Sequence, residues 1–147
     1  MHQKLHNKKT EGGFVCQTFV SSSKMGPDGK MITEQYYDNS LGQHRNGQTI
    51  SEKQQAYKNS AGINRLAEER MLNDHGRKIV KEKKGNDIEV TNHYYNIDED
   101  KAQEFDSRWE KVNQDTKFQE EYRRYLGNGS GKYNRNDMLD FDRPMKH

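Results

Sequence analysis

The chain has 147 residues, 33% charged and only 29% hydrophobic, with a formal net charge of +2 and a mean hydropathy of −1.41. This length predicts a single domain. Leu, Ile, Val and Phe together supply 22 residues, fewer than the ~20% of the chain below which disorder becomes common. The composition therefore excludes a large self-contained core and favours a chain that orders partly against a partner.

Compartment and membrane contact follow from the same composition. Cys16 is the single cysteine, which excludes an intramolecular disulfide and is typical of a reducing compartment. The N-terminal residues lack the apolar segment of a signal peptide, and no apolar run approaches the ~20 residues of a membrane span. We expect a soluble intracellular protein that does not contact membranes.

A short phrase is repeated in the first half of the chain. Gly29–Glu34 reads GKMITE and Gly47–Glu52 reads GQTISE, and a weaker third phrase opens at Gly76. Repetition at this period predicts a supersecondary unit that is used more than once. Because each phrase follows a turn signal, we interpret the copies as successive hairpin arms.

The first elements in chain order are a tail and a hairpin. Residues 1–12 are basic and polar and predict a tail. The segment Phe14–Ser23 is rich in Phe, Val, Thr and Ser, as strands are. Gly26–Gly29 (GPDG) predicts a turn, and Met31–Tyr37 predicts the returning strand.

The middle of the chain is ambiguous between strand and helix. Gly42 and the Asn46-Gly47 pair indicate turns. Residues 63–72 have apolar residues at helical spacing that also share one face of a strand. Turn residues on both sides of short segments favour strands for 49–58 and 63–72, followed by a turn at 73–76 and strands at 79–84 and 88–95.

The pattern changes to a helix after Ile97. Acidic residues at 98–100 suit a helix N-terminus, and an apolar stripe follows at Ala102, Phe105, Trp109 and Val112. Residues 113–115 predict a break, residues 114–126 a second helical piece that Gly127 ends, and residues 127–147 a flexible tail. The predicted fold is mainly β: an extended antiparallel β-meander of five or six short strands followed by one C-terminal α-helix, with polar tails.

The sequence contains no complete motif for catalysis, metal binding or cofactor binding. The glycine-rich segment Gly127–Lys132 has Leu126 where a phosphate-binding loop needs glycine and Tyr133 where it needs Ser or Thr. The six histidines lack metal-ligand spacing outside the tail, and Cys16 alternates with Phe14, which predicts a small buried side chain. We predict that the protein is not an enzyme and has no catalytic residues, metal site or cofactor.

Two groups of residues are candidates for binding. Aromatic residues on the acidic helix pack on the protein's own sheet, enter a groove of a partner, or do both. The second group is a basic patch that either is a solvated strand face or contacts an acidic surface such as tubulin, with nucleic acid the less favoured partner. The partner-binding candidates are Phe105, Trp109, Val112, Tyr122 and Tyr125; the basic patch is Arg77, Lys78, Lys81, Lys83 and Lys84.

Several short motifs follow one another in a distinctive order between residues 13 and 112. They are Phe14–Gln17 at the start of the domain, the Gly-rich turn before Lys30, Tyr57 with Asn59-Ser60, Arg70, the turn from Asp74 to Arg77, and Asn96–Asp98 leading into Phe105 and Trp109. In these motifs the chain resembles the myeloid leukemia factor family. The resemblance implies a family domain over residues 13–113 and a non-enzymatic adaptor of the cytoplasm and nucleus, linked to proliferation, transcriptional regulation and protein quality control.

One property of the family does not carry over. Animal members have an upstream phosphorylation motif that docks 14-3-3 adaptors through a Ser-x-Pro sequence. The only prolines here are Pro27 and Pro144, and Met25 and Asp142 stand two residues before them. The resemblance therefore implies no phospho-dependent 14-3-3 docking.

Three functions agree with these observations. The first is an adaptor or scaffold that docks protein partners through its sheet surface and the Phe105/Trp109 helix, in the cytoplasm and nucleus. The second is a structural component of a large assembly such as the ciliary axoneme, in contact with tubulin or other axonemal proteins, because members of the family are associated with motile cilia. The third is a transcription-related regulator that places the basic patch on nucleic acid.

Overall fold

The computed structural model of the chain describes residues 12–121. Within this range six antiparallel strands pair in sequence order to form one open sheet. The strands are β1 (Gly12–Met25), β2 (Met31–Arg45), β3 (Gln48–Asn59), β4 (Ile63–Leu72), β5 (His75–Lys84) and β6 (Asp87–Tyr95). The predicted mainly-β meander with a C-terminal helix is confirmed, as are strands at 49–58 and 63–72. The predicted tails lie outside the described residues, except for Gly12, where β1 begins.

Tight turns fix the register of the hairpins. Asn46 and Gly47 both have positive φ angles, 55° and 76°, which is the geometry of a two-residue type I′ turn. Asn73 and Gly85 also have positive φ angles, 55° and 61°, in the two-residue turns that follow β4 and β5. These turns match the right-handed twist of the strands, so the local sequence alone directs the chain into a meander.

The repeated phrase marks successive hairpin arms, but the copies are not equivalent in space. Gly29 and Gly47 each lie in a hairpin turn and have positive φ angles. The two turns differ in length, so the side chains that follow alternate out of phase. Ile50 is buried against the helix, whereas Ile32 lies on the opposite side of the sheet. The third glycine, Gly76, lies within β5.

Two glycines with the appearance of turn residues lie inside strands. Gly42 was predicted to mark a turn, but β2 continues through it to Arg45. A Cβ atom at Gly42 would overlap the ring of Phe14 on the neighbouring strand. Gly42 therefore provides room for an aromatic ring on the sheet surface, and Gly76 does the same for the side chain of Met71.

Replacing Gly76 with alanine is expected to lower the free energy of unfolding by about 1–3 kcal/mol. The added Cβ would overlap the Met71 sulfur and would lie 2.9 Å from the backbone oxygen of Arg70, and the backbone cannot yield as a side chain can. Urea denaturation followed by circular dichroism measures the change. Gly12→Ala is the control, because nothing lies within 4 Å of its added Cβ; equal losses in the two variants would contradict the steric argument.

One α-helix packs against one side of the sheet, which we call the helix side. A 3-10 helix (Glu99–Lys101) leads into α1 (Ala102–Thr116). The predicted break at residues 113–115 is wrong: the helix runs to Thr116 and ends at Lys117, which has a left-handed φ of 56°. Residues 118–121 are again helical. Asp98 precedes the 3-10 helix without a side-chain capping bond, so the acidic residues supply charge at this N-terminus but Asp98 does not cap it.

The helix side carries two hydrophobic clusters. The first joins the helix to the sheet and contains Leu41, Ile50, Leu72, Phe105, Trp109 and Phe118. The second lies farther along the strands, where Tyr37, Ala56 and Leu66 are buried with Phe19 against them. Strand pairing places these last four in one row across β1–β4. No helix within residues 12–121 is long and apolar enough to span a membrane.

Candidate protein-interaction surface

The aromatic residues of the helix form the centre of the protein's own core. Trp109 is fully buried and Phe105 is 2% exposed. The Trp109 indole N–H donates to the backbone oxygen of Ser51 at 3.3 Å, and the Phe118 ring meets the indole edge-on with centroids 6.0 Å apart. The first of the two interpretations, packing on the sheet, is confirmed. Insertion of these rings into a partner would require the helix to leave the sheet.

The other three partner-binding candidates are placed differently. Val112 is half-buried and packs at the margin of the first cluster. Tyr122 and Tyr125 lie outside the described residues. The buried helix residue after Trp109 is Asn113, whose side-chain amide donates to Gln119 at 3.0 Å. Gln119 in turn donates to Glu52 on β3 at 2.9 Å, so polar contacts fix the end of the helix to the sheet.

Two arginines on adjacent strands hold the helix from the sheet side. The Arg70 guanidinium lies 4.1 Å from the centre of the Trp109 ring and donates to Glu110 at 3.0 Å. Arg77 pairs with Asp106 at 2.6 Å. Each arginine thus covers apolar surface while its charge is neutralised by a helix carboxylate. The acidic character of the helix has a structural role here.

The predicted basic patch is not one continuous surface. Side chains alternate along β5, so Arg77, Lys81 and Lys83 lie on the helix side and Lys78 and Lys84 on the opposite side. Arg77 is engaged with Asp106, and Lys84 lies 3.2 Å from Glu82. The five residues therefore present separate charges on two faces, and a single phosphate-binding stripe is not formed.

Cys16 was predicted to be a small buried residue, and this prediction is wrong. Its side chain is exposed, because β1 is the edge strand of the sheet and both of its faces are open. Alternation with Phe14 was the misleading signal, since Phe14 itself is 55% exposed. Within the described range no group of three or more His, Cys, Asp or Glu residues could hold a metal ion.

The side of the sheet opposite the helix, which we call the helix-free side, carries an aromatic and arginine cluster. Strand pairing aligns Val20, Tyr36, Tyr57 and Arg65 in one row across β1–β4. Tyr36 is 42% and Val20 53% exposed, and the Tyr57 hydroxyl donates to Glu34 at 3.2 Å. Tyrosine and arginine in such clusters are the residues most enriched at the energetic centres of protein interfaces.

A shallow cleft of about 360 Å³ lies beside this row. Its floor is Ala67, which is 7% exposed, and its walls include the side chains of Tyr36, Gln55, Tyr57, Arg65 and Lys78. Apolar walls with convergent amide, hydroxyl and cationic groups suit a partner side chain that is flat or acidic. The cleft is formed by four adjacent strands, so its geometry is fixed by the sheet.

Tyr95 extends the aromatic surface to the far edge of the helix-free side. Desolvation by burial raises the pKa of its phenol, and the negative charge of Glu69 raises that pKa further. Tyr95 is 37% exposed. Together with Phe14 at the opposite edge, it frames a mixed polar and aromatic face.

Sequence reasoning missed Tyr36, Tyr57 and Arg65 as a set. All three lie in predicted strands, but their alignment depends on the pairing register of β2, β3 and β4. The signal that was available is the Tyr-Tyr pair at 36–37: in a strand, one ring must face each side. Tyr37 is buried in the second cluster, and Tyr36 is exposed on the helix-free side.

Comparison with known proteins gives one family. A family model described as myelodysplasia-myeloid leukemia factor 1-interacting protein matches residues 1–112. Neither the curated proteins nor the solved structures gave a match. The matched segment covers the whole sheet and most of α1, including the row of Tyr36, Tyr57 and Arg65.

Proposed function

Because the chain belongs to the family described as myelodysplasia-myeloid leukemia factor 1-interacting protein, we propose that it is a non-enzymatic adaptor that binds a protein partner. The family is named for binding to myeloid leukemia factor 1, which is therefore the first partner to test. The sequence resemblance was to the myeloid leukemia factors themselves, whereas the family model that matches describes a protein that interacts with myeloid leukemia factor 1. The proposed locations are the cytoplasm and nucleus.

The helix-free side is the proposed docking surface, and the row of Tyr36, Tyr57 and Arg65 beside its cleft is the observation that carries the proposal. Phe105 and Trp109, the partner-binding residues predicted from the sequence, are buried. We therefore assign partner binding to exposed residues of the sheet. Tyr36 has exposed ring area that a partner can cover, and Arg65 is an exposed cation two strands away in the same row, with Tyr57 between them. Such groups release free energy when water is excluded from around them.

Combined replacement Tyr36→Ala and Arg65→Glu is expected to weaken binding of purified myeloid leukemia factor 1 about tenfold or more, which corresponds to about 1.4 kcal/mol or more. Isothermal titration calorimetry with the full chain measures the dissociation constant. The changes are confined to exposed side chains, so the circular dichroism spectrum should stay that of the parent protein.

Arg108→Glu is the matched control, because Arg108 is an exposed arginine of α1, which packs on the other side of the sheet. This variant should bind as the parent chain does. If Arg108→Glu weakens binding as much as the double variant, the contact is a general electrostatic one and the helix-free side is not the docking surface. If the folded parent chain shows no binding, the assignment of this partner is wrong.

A structural role in a large assembly such as the ciliary axoneme is a second candidate. The observation in its favour is the open sheet, since its outer strand β1 can be extended by a strand of a neighbouring protein. Lys81 on the helix side is also exposed and suits an acidic surface such as that of tubulin. Co-sedimentation with microtubules in physiological salt tests this candidate.

The division of the basic patch leaves the transcription-related candidate without a supporting surface among the described residues.

A further inference from the structure

The outer edge of β1 is the longer of the two open edges of the sheet in the described part of the chain. β1 is the first strand in the sheet order and pairs through all of its 14 residues with β2. Every residue of β1 except Phe19 is exposed, and Phe19 is half-buried. An edge strand of this length offers a row of backbone N–H and C=O groups to another strand.

The two edges of the sheet differ in how they are protected. Proteins commonly protect an edge with charges, prolines or short strands. β1 contains no proline and one charged residue, Lys24, next to its end. β6 is shorter, at nine residues, and carries Asp87 and Glu89. Strand addition is therefore opposed at β6 and unopposed at β1.

We infer that β1 pairs antiparallel with β1 of a second copy of the chain, so that two six-stranded sheets join into one of twelve strands. An antiparallel edge is complementary to itself when a two-fold axis runs perpendicular to the sheet. This inference concerns self-association through an edge and goes beyond the proposed adaptor role of the helix-free side.

The symmetry restricts the register of this pairing. A perpendicular two-fold axis keeps the helix side of both copies on the same side of the joined sheet. Two residues that pair across the interface must then lie on the same side of the joined sheet. The axis therefore passes next to one residue of β1 that pairs with the same residue of the second copy. The middle of β1 gives two choices, Thr18 and Phe19, and either aligns about 13 residues of each copy.

Charge is the reason for choosing a second copy over an unrelated strand. With Thr18 central, Lys24 lies opposite Gly12; with Phe19 central, it lies opposite Phe14. Neither register brings like charges together. With Phe19 central, the two Phe19 rings oppose each other and Thr18 opposes Val20; with Thr18 central, the two Thr18 side chains oppose each other. Nothing in β1 selects a partner strand of opposite charge.

The test is the mass of the full chain in solution. Sedimentation equilibrium between about 1 and 300 μM protein should show a reversible species of twice the 17.3 kDa chain mass, over the range where weak and moderate interfaces assemble. Thr18→Lys with Val20→Lys places charges on the edge and should raise the dimer dissociation constant about tenfold or more. Val90→Lys with Thr91→Lys is the matched control on the opposite edge and should leave the dimer intact.

A distance measurement identifies the interface directly. Cys16 is the single cysteine and is exposed, so a nitroxide label reports on β1 without any engineered change. The Cα atoms of Cys16 in the two copies should be roughly 15 Å apart with Thr18 central, or roughly 21 Å apart with Phe19 central. A monomer at every concentration overturns the inference, and so does a dimer that keeps its affinity in the β1 variant or that shows a label separation well beyond these values.

Discussion

Replacement of Trp109 by alanine is expected to lower the free energy of unfolding by about 3–5 kcal/mol, the range for buried aromatic residues cut to alanine. The indole is fully buried between the sheet and the helix. Its loss also leaves the Ser51 carbonyl without the indole donor and removes the surface on which Arg70 stacks. Urea denaturation followed by far-ultraviolet circular dichroism measures the change.

Trp109→Phe is the control that separates packing from the hydrogen bond. It keeps most of the apolar contact and removes the indole donor, so its cost should be smaller, at about 1–3 kcal/mol. If Trp109→Ala unfolds at the same urea concentration as the parent chain, α1 does not contribute to the stability of the sheet. Such a result would also revive the alternative in which the helix aromatics are free to enter a partner.

Replacement of Tyr37 by alanine is expected to cost about 3 kcal/mol or more, although α1 is not part of its cluster. Tyr37 is fully buried in the second cluster with Ala56, Leu66 and Phe19, and its hydroxyl accepts from the Gln17 amide at 3.4 Å. A loss of this size from the second cluster would show that the sheet is stabilised at two places along its strands. Thermal and urea unfolding of the variant measure it.

The conservative change Tyr37→Phe keeps the ring and should cost only about 1 kcal/mol. Tyr36→Ala is the position-matched control, since the adjacent ring is exposed and its loss should change stability by about 0.5 kcal/mol or less. Similar losses from Tyr36→Ala and Tyr37→Ala would contradict the assignment of the two rings to opposite sides of the sheet.

The meander was predictable because its information is local. Asn-Gly at 46–47 and the asparagine at 73 favour positive φ angles with little cost, and two-residue turns permit only antiparallel neighbours. The same argument resolved residues 63–72, whose apolar spacing suited a helix as well as a strand. A turn directly after Leu72 and a β-rich segment beyond it decided the matter correctly.

The surface was less predictable because it depends on pairing between distant segments. In the sequence, Gly42 indicates a turn. Its actual role is to make room for the Phe14 ring, and that contact depends on the register of β1 against β2. Cys16 reads as buried until β1 is known to be the edge strand. Arg77 reads as part of a basic patch until Asp106, on the later helix, is brought against it. In each case the decisive neighbour lies about 25 or more residues away.

A chain with few aliphatic residues builds its core by using large side chains on one side of the sheet. Trp109, Tyr37 and Phe118 are among the largest fully buried side chains, and the Arg70 guanidinium extends the cover over Trp109. The expectation of a small core was therefore reasonable, and the sheet meets it by leaving the helix-free side outside the core. Because the core lies on one side of the sheet, the helix-free side remains open for binding a partner.

The position of Trp109 gives the protein a built-in optical reporter. It is the single tryptophan of the chain, and it lies where the helix meets the sheet, with a cation over its ring. Its fluorescence should therefore be emitted at short wavelength while α1 is docked, and should shift to longer wavelength when water reaches the indole. Any partner that lifts the helix from the sheet would be visible in that signal, without a label and without a change of sequence.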